Sequence, residues 1–303
     1  MKRPWLFIII LIVVLAFISF VIAGIASFFI SSDVEVKGSG NVAIIPIKGE
    51  LVTEEDFSLF AADVVSSTDI IELIEKAEDS ASIKAIVFEI NSPGGSAVAS
   101  EEVANAVKKV NKPKVAWIRE SGASGAYWVA SATDHIVASR MSITGSIGVI
   151  ASYLDFSGLM DYYNVTYERL VAGKYKDAGT PFRELTPEER AKFQYKLDLI
   201  HQEFINEVAE NRQMSKAQIE AVATGEFFLG SEALELGLID EVGSKDEALA
   251  YLEKQLNQSV SAVEYKKHRS FFDAFSDTMN EKFFYIGKGI ASFSQEKKLY
   301  IRT

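Results

Sequence analysis

The sequence predicts an α/β domain carried behind a single apolar N-terminal helix. Three observations lead there. Trp5 to Ile30 is an uncharged run, short apolar runs alternate with amphipathic stretches from Val34 to about Leu256, and glycine-rich turns directly follow two of the apolar runs. With 303 residues and 48% hydrophobic content, the chain can bury one substantial core plus an accessory segment.

The N-terminal run comes first. At about 1.5 Å per residue its length exceeds the ~30 Å hydrocarbon core of a bilayer, so it can span with some tilt. Lys2 and Arg3 precede it, whereas Asp33 and Glu35 follow. The positive-inside tendency places the N-terminus in the cytoplasm and everything after Ser32 outside. A cleaved signal peptide, cut near Gly24-Ile-Ala26, is the competing reading. Secretory apolar cores are about 7–15 residues long, however, and this run continues past that point. A buried core helix would need a polar face, and none exists here. The expected organisation is therefore 1–32 as cytoplasmic stub and anchor, 33–258 as the globular domain, and 259–303 as a tail.

Within the domain, Val42-Ala-Ile-Ile-Pro-Ile reads as the entering strand. Thr68 to Lys76 is amphipathic, with Ile70, Ile71 and Ile74 on one face. Ile83 to Ile90 is a largely buried strand, followed by Asn91-Ser-Pro-Gly94-Gly95-Ser96 and a helix through Val110. Lys114 to Ile118 is the next strand, a helix opens at Ser124, and Ile136-Val-Ala is another short strand. Pro187 to about Gln213 is a long charged helix, and Gln218 to Ala223 is helical. This βαβα rhythm is that of an α/β domain.

Composition excludes several chemistries. Acidic residues outnumber basic ones 42 to 31, a formal charge of −11, which argues against a nucleic-acid footprint. With no cysteine there is no disulfide, thiol nucleophile or thiolate metal site. His135, His201 and His268 form no metal-ligand spacing, so neither a metal nor a cofactor is expected.

What remains is a serine. Val115 to Ala130 reads as strand, glycine turn and helix, which exposes the Ser124 hydroxyl at the positive end of a helix dipole. A serine there is most often a cap, and Gly122 and Gly125 argue for more than that. His135 lies eleven positions on, at the far end of the same expected helix, about 16 Å away and out of reach as a base. His201 sits on a charged helix and His268 in the tail, so both read as solvated. Ala172-Gly-Lys174-Tyr-Lys176-Asp-Ala-Gly-Thr-Pro-Phe-Arg offers an amine instead. A Ser–Lys pair points to acyl transfer. Successive glycines at Gly94 and Gly95 let backbone amides converge on an anion, although an ordinary strand-to-helix turn reads the same way. Ser142-Ile-Thr-Gly-Ser146-Ile-Gly-Val fits close backbone packing or a hydroxyl held near an amine.

These residues resemble the signal peptide peptidase A (SppA) family, the membrane-anchored Ser–Lys peptidases related to ClpP and the crotonase fold. The likeness spans roughly Asn41 to Tyr251. It consists of five motifs in order: Asn91-Ser-Pro-Gly-Gly, Ala-Ser124-Gly-Ala-Tyr-Trp, Thr144-Gly-Ser-Ile-Gly-Val-Ile, Lys176-Asp-x-x-x-Pro-Phe-Arg-Glu-Leu-Thr-Pro-Glu-Glu, and Thr224-Gly-Glu-Phe-Phe-Leu-Gly-Ser-Glu-Ala-Leu-Glu-Leu-Gly-Leu-Ile-Asp. Where the family often has Ala-Ala-Ser-Gly-Gly-Tyr-Tyr, this chain has Gly-Ala-Ser-Gly-Ala-Tyr-Trp, which keeps the serine and its small neighbours. The resemblance implies a ClpP/crotonase-like fold of repeated ββα units. It implies Ser124 as nucleophile, Lys176 as general base, Ser146 as the serine that holds the lysine amine, and the amides of Gly94 and Gly95 as the oxyanion hole. Lys174 is the rival base, and the motif register favours Lys176.

The same resemblance implies a ring-like homo-oligomer in which serine and lysine come from neighbouring protomers, and remnant signal peptides or other apolar peptides as substrates. A membrane Ser–Lys protease that cuts a partner protein, and a catalytically silent crotonase-like scaffold, are the alternatives. The chemistry sets a condition: an exposed lysine, with a reference pKa of ~10.4, keeps its proton and must be desolvated to act as a base. Asp177 would oppose this unless its carboxylate points away. In the tail, Phe271, Phe272, Phe275, Met279, Phe283 and Phe284 recur near helical spacing, among Lys266, Lys267, Arg269, Lys297 and Lys298. A membrane-surface helix, packing on the ring, and entry into the active-site cavity all fit that pattern.

Overall fold

The computed structural model describes residues 4–29, 34–54 and 64–267. In chain order the strands are β1 Val34–Lys37, β2 Val42–Lys48, β3 Glu50–Val52, β4 Val64–Ser66, β5 Ala85–Ser92, β6 Lys114–Ala123, β7 His135–Ala138, β8 Ile143–Gly145, β9 Phe227–Leu229, β10 Glu241–Val242 and β11 Ala262–Lys267. The helices are α1 Pro4–Phe29, α2 Ser67–Asp79, α3 Ala97–Lys109, α4 Gly125–Ser131, α5 Ser157–Tyr162, α6 Pro187–Arg212, α7 Lys216–Val222, α8 Gly230–Glu235 and α9 Lys245–Leu256. The main sheet runs β1-β11-β2-β5-β6-β7-β10, parallel throughout except for the antiparallel pair β1/β11. The α/β expectation holds, with a sheet dominated by parallel strands.

Buried parallel strands read as apolar runs because both faces are covered. Alternate residues then divide between two cores. Ile45, Phe88, Ile118 and Ile136 face the larger one, against Ile70 and Ile74 of α2, Val103 and Val107 of α3, Val129 of α4, and Phe204 and Val208 of α6. Their neighbours Ile44, Val87, Val115 and Val137 face the smaller core, closed by Ala248 and Leu252 of α9. α9 begins at a capping box in which the Ser244 hydroxyl and the Glu247 carboxylate satisfy the first turn. Leu252 is fully buried. Leu252→Ala should therefore lower unfolding stability by about 2–5 kcal/mol, read from denaturant midpoints at unchanged slope.

Three boundaries differ from expectation. β6 runs through Ala123 rather than stopping at Ile118, because its polar half pairs with β8 instead of β7. Helix α4 ends at Ser131, so His135 opens β7 and is not on the serine's helix. The tail expected from residue 259 surrenders residues 262–267 to β11, which lies between β1 and β2; the remaining tail calls, from His268 on, fall outside the described residues.

Helix α1 spans 26 residues. Among the described residues no helix is long and apolar enough to cross a membrane. The side chains described within α1 are those of Trp5 and residues 9–22.

Candidate active site

Parallel strands deliver their C-terminal ends to one side of the sheet, and the candidate residues follow those ends. β5 leads into Pro93-Gly94-Gly95, β6 into Ser124 and β8 into Ser146. A bulge in β6 sets their alignment. The pair Ile90↔Ile118 is followed by Ser92↔Gly122, so four steps on β6 answer two on β5. The extra residues bend β6 away from β7, and the Ser121 amide donates to Asn91 Oδ1 at 3.2 Å across the irregularity. The re-aimed end pairs with β8 as Gly122↔Thr144 and Ala123↔Gly145. Ser124 and Ser146 are the residues that directly follow this last pair.

Both serines have left-handed backbones, Ser124 at φ 53° and Ser146 at φ 51°. A non-glycine residue held this way costs of order 1–3 kcal/mol and persists only where its surroundings over-determine it. For Ser124 those surroundings are its own amide, which donates to Gly145 O at 2.8 Å, and its carbonyl, which accepts from the Tyr127 and Trp128 amides at 2.9 and 3.1 Å. The Ser124 side chain makes no capping bond. Its hydroxyl is half-exposed and has no hydrogen-bond partner among the described residues, so capping does not explain it. Ser146 is held by its amide on Glu226 O at 2.9 Å and its hydroxyl on Gly225 O at 3.2 Å.

Gly94, at φ 99°, packs directly under Ser124. A Cβ there would fall 2.7 Å from the Gly125 nitrogen and 2.9 Å from Ser124 Cβ. Its amide donates to Ser92 Oγ at 3.1 Å. Of the two amides expected to face an oxyanion, that of Gly94 is thus hydrogen-bonded to Ser92. Gly95 is exposed, and its amide has no acceptor among the described residues. The Gly125 amide likewise has none, and a Cβ on Gly125 would lie 3.5 Å from the Gly95 nitrogen. Two open donors therefore flank Gly94 beside Ser124. The sequence named Gly125 only as a small neighbour of the serine and assigned its amide no role.

Lys176 is exposed, and among the described residues its ammonium has no partner and is not joined to Ser124 or Ser146. Lys174 is committed elsewhere: its ammonium sits 2.5 Å from Glu188 Oε2, and that hydrogen bond, with a second contribution from Tyr175, raises its pKa. Asp177 faces two guanidinia, with Arg169 Nε at 2.6 Å and Arg183 Nε at 3.0 Å. Hydrogen bonds from Arg169 and then Arg183 hold its carboxyl far below the ordinary range. Glu189, bonded by Arg183 and the Thr186 amide, is lowered from 4.5 to about 2. Both acids are depressed, so the ion pairs are fully present above the unfolded value and are lost only as pH falls towards about 2.

Neither described histidine is hydrogen-bonded to the serine among the described residues. His135 stacks on Tyr251 at 4.0 Å between centroids, with Glu241 Oε2 3.3 Å from its Nε2, at the opposite end of the sheet. His201, expected to be solvated, is instead partly buried with Nε2 3.2 Å from Ile147 O. No group of three or more metal-ligating side chains occurs among the described residues. A cleft of about 570 Å³, lined by Asn91, Trp117, Arg119, Glu120, Met141 and Ser244, includes none of Ser124, Ser146 and Lys176.

Residues 106–259, half of the chain and including both serines and Lys176, match peptidase family S49. The chain belongs to that family. A protein of Methanocaldococcus jannaschii named as a protease is 34% identical to this S49 peptidase over 272 residues, covering 88% of this chain and 87% of its own. An Enterococcus faecium protein named as the signal peptide peptidase SppA is 29% identical over 249 residues, 80% of this chain and 72% of its own. Protease 4 of Haemophilus influenzae is 32% identical over 222 residues, 72% of this chain but 35% of its own length. The S49 peptidase is thus an SppA-like peptide-bond hydrolase.

Proposed function

We propose that this chain is a membrane-anchored serine endopeptidase whose Ser124–Lys176 dyad forms between neighbouring copies in a ring-like homo-oligomer and cleaves apolar peptides, remnant signal peptides foremost. The observation that carries the reading is the pairing of an uncommitted, strained Ser124 with two open amides and Ser146, while Lys176 stands on a segment with little cover of its own. Within that segment Ile150 is 86% exposed, Tyr162 81% and Leu170 94%, and α5 buries no residue. Apolar surface of that extent calls for a partner, and a second copy supplies both cover and the missing serine. A ClpP/crotonase-like arrangement is consistent with β6 splitting between β7 and β8.

In this mechanism a neutral Lys176, desolvated in the assembled interface and held by Ser146, takes the Ser124 proton as Oγ attacks the scissile carbonyl. The Gly95 and Gly125 amides receive the developing oxyanion. The lysine then protonates the departing amine, and water enters by the same route to release the acyl group from Oγ. Support for the anchor comes from α1. From Ile9 to Ile22 it carries no charge, and every side chain there except Phe20 is exposed. The N-terminal Lys2 and Arg3 then place the peptidase domain outside the cytoplasm, where peptides released from the bilayer meet it.

The test uses the full chain in detergent micelles with a fluorogenic apolar peptide. Ser124→Ala and Lys176→Ala are each expected to be inactive alone. Co-expressed in equal amounts, they should recover about a quarter of wild-type activity, the share of heterologous interfaces that join an intact serine to an intact lysine. Inert mixed assemblies of normal size would place serine and lysine in one chain. A wild-type assembly that neither turns over peptide nor is acylated at Ser124 would point to a binding scaffold instead.

A further inference from the structure

The loop that bears Lys176 is tied down on both sides of that residue. Lys174 pairs with Glu188, and the Tyr175 hydroxyl bonds the other oxygen of the same carboxylate. The Tyr175 ring also lies 4.9 Å from Lys192 Nζ. Asp177 accepts two bonds from Arg169, at 2.6 and 2.7 Å, and two from Arg183, at 3.0 and 3.1 Å. Arg183 reaches on to Glu189 at 2.9 and 2.7 Å. Glu189 in turn accepts from the Thr186 amide and hydroxyl at 2.9 and 3.0 Å, closing the capping box of α6. Every anchor except Arg169 and Arg183 sits in the opening turns of α6, and the Asp177 and Glu189 side chains are only 9% and 4% exposed. Isolated surface ion pairs count for little, but a bidentate, nearly buried network defines geometry.

We propose that Arg183 is a positioning residue for the general base: by bridging Asp177 to Glu189 it fixes the Lys176 loop on α6 and cancels the carboxylate beside the lysine. The proposal rests on the reading of Lys176 as base. Geometry is the first effect. A base displaced by about 1 Å can cost about 10²-fold in rate. Charge is the second. The ionised groups around Lys176 are Lys174, Arg169, Arg183 and Lys192 against Asp177, Glu188 and Glu189. A bare Asp177 carboxylate favours the ammonium form of its neighbour, and the two guanidinia offset it. This is why the Lys-Asp-x-x-x-Pro-Phe-Arg-Glu-Leu-Thr-Pro-Glu-Glu run belongs together: its Asp, Arg, Thr and last Glu are one clamp.

The full chain in detergent micelles tests this with Arg183→Gln, Arg183→Lys, the double variant Asp177→Asn/Arg183→Gln and Lys176→Ala. Assembly mass is measured alongside. Arg183→Gln should lose about 10²-fold in kcat with little change in KM, and the acid limb of its kcat/KM profile should move to higher pH. Arg183→Lys should return the limb towards its wild-type position without restoring kcat, since one ammonium supplies charge but cannot bridge both carboxylates. The double variant should also return the limb, because the carboxylate next to the lysine in the chain is gone. A fall in kcat with an unmoved acid limb would reduce Arg183 to scaffolding. An unchanged Arg183→Gln beside an inactive Lys176→Ala would overturn the clamp alone. An active Lys176→Ala would overturn the base assignment itself. If Arg183→Gln fails to assemble, the comparison of Arg183→Lys with wild type decides.

Discussion

Ser124→Ala should lower peptide hydrolysis by about 10⁴- to 10⁶-fold while leaving the fold intact. The separation of chemistry from stability is specific to this position. Ser124 makes no side-chain capping bond, so removing its oxygen leaves no backbone donor stranded. Its φ of 53° costs alanine about what it costs serine. Ser124→Gly sharpens the test: glycine occupies that backbone region without strain, so the variant should be more stable by about 1 kcal/mol and equally inactive. Rates on an apolar fluorogenic peptide, thermal unfolding and mass after treatment with an acylating probe measure all three. A Ser124→Ala protein that keeps a tenth of wild-type turnover would remove the serine from the mechanism.

The second large effect is expected at Gly94. Gly94→Ala adds one methyl where no space exists, 2.7 Å from the Gly125 nitrogen and 2.9 Å from Ser124 Cβ, on a backbone at φ 99°. The nearest atoms are main chain and the root of the serine, so nothing flexible can give way. Either Ser124 and the Gly125 amide move together, or the Pro93–Gly95 turn does. A loss of about 10²–10³-fold in kcat is expected, the scale of one lost oxyanion donor. A stability loss of about 1–3 kcal/mol should accompany it, from the strained backbone. Kinetics and denaturant unfolding on the same preparation separate the two. Activity within threefold of wild type would mean that this contact does not govern the serine's aim.

Much of this was legible in the residues because burial writes itself as pattern. The strands at residues 42–47 and 83–90 are apolar runs, the helix from Ala97 buries Ala99, Val103 and Val107 on one face, and the long one from Pro187 shows as a charged stretch. β6 was cut short because Arg119, Glu120 and Ser121 sit where it leaves the core to pair with β8; its pairing there is backbone and leaves no apolar trace. Helix α9 went unnoticed despite its Ser244–Glu247 box, and β11 was taken for tail because it alternates too briefly between polar and apolar residues. At the site, the serines announced themselves by their glycine neighbours. Their φ angles, the commitment of the Gly94 amide to Ser92 and the openness of the Gly125 amide did not, because all three belong to the main chain. Arg169 joined the clamp unseen, since a loop contact eight residues from Asp177 has no period to betray it.

The place of β11 has a consequence for the order of events in synthesis. β2 needs β11 on its outer side, and among the described residues β1 has no neighbour in the sheet except β11. Residues 262–267 leave the ribosome some 220 positions after residue 42, so β1 and β2 must wait for β11. During that interval β2 offers an open row of amides and carbonyls to any passing strand. Closure also sets Lys267 beside Val34, the residue nearest the N-terminal helix in this sheet. The sheet of the nascent peptidase therefore stays incomplete on this side until residue 267 has been made.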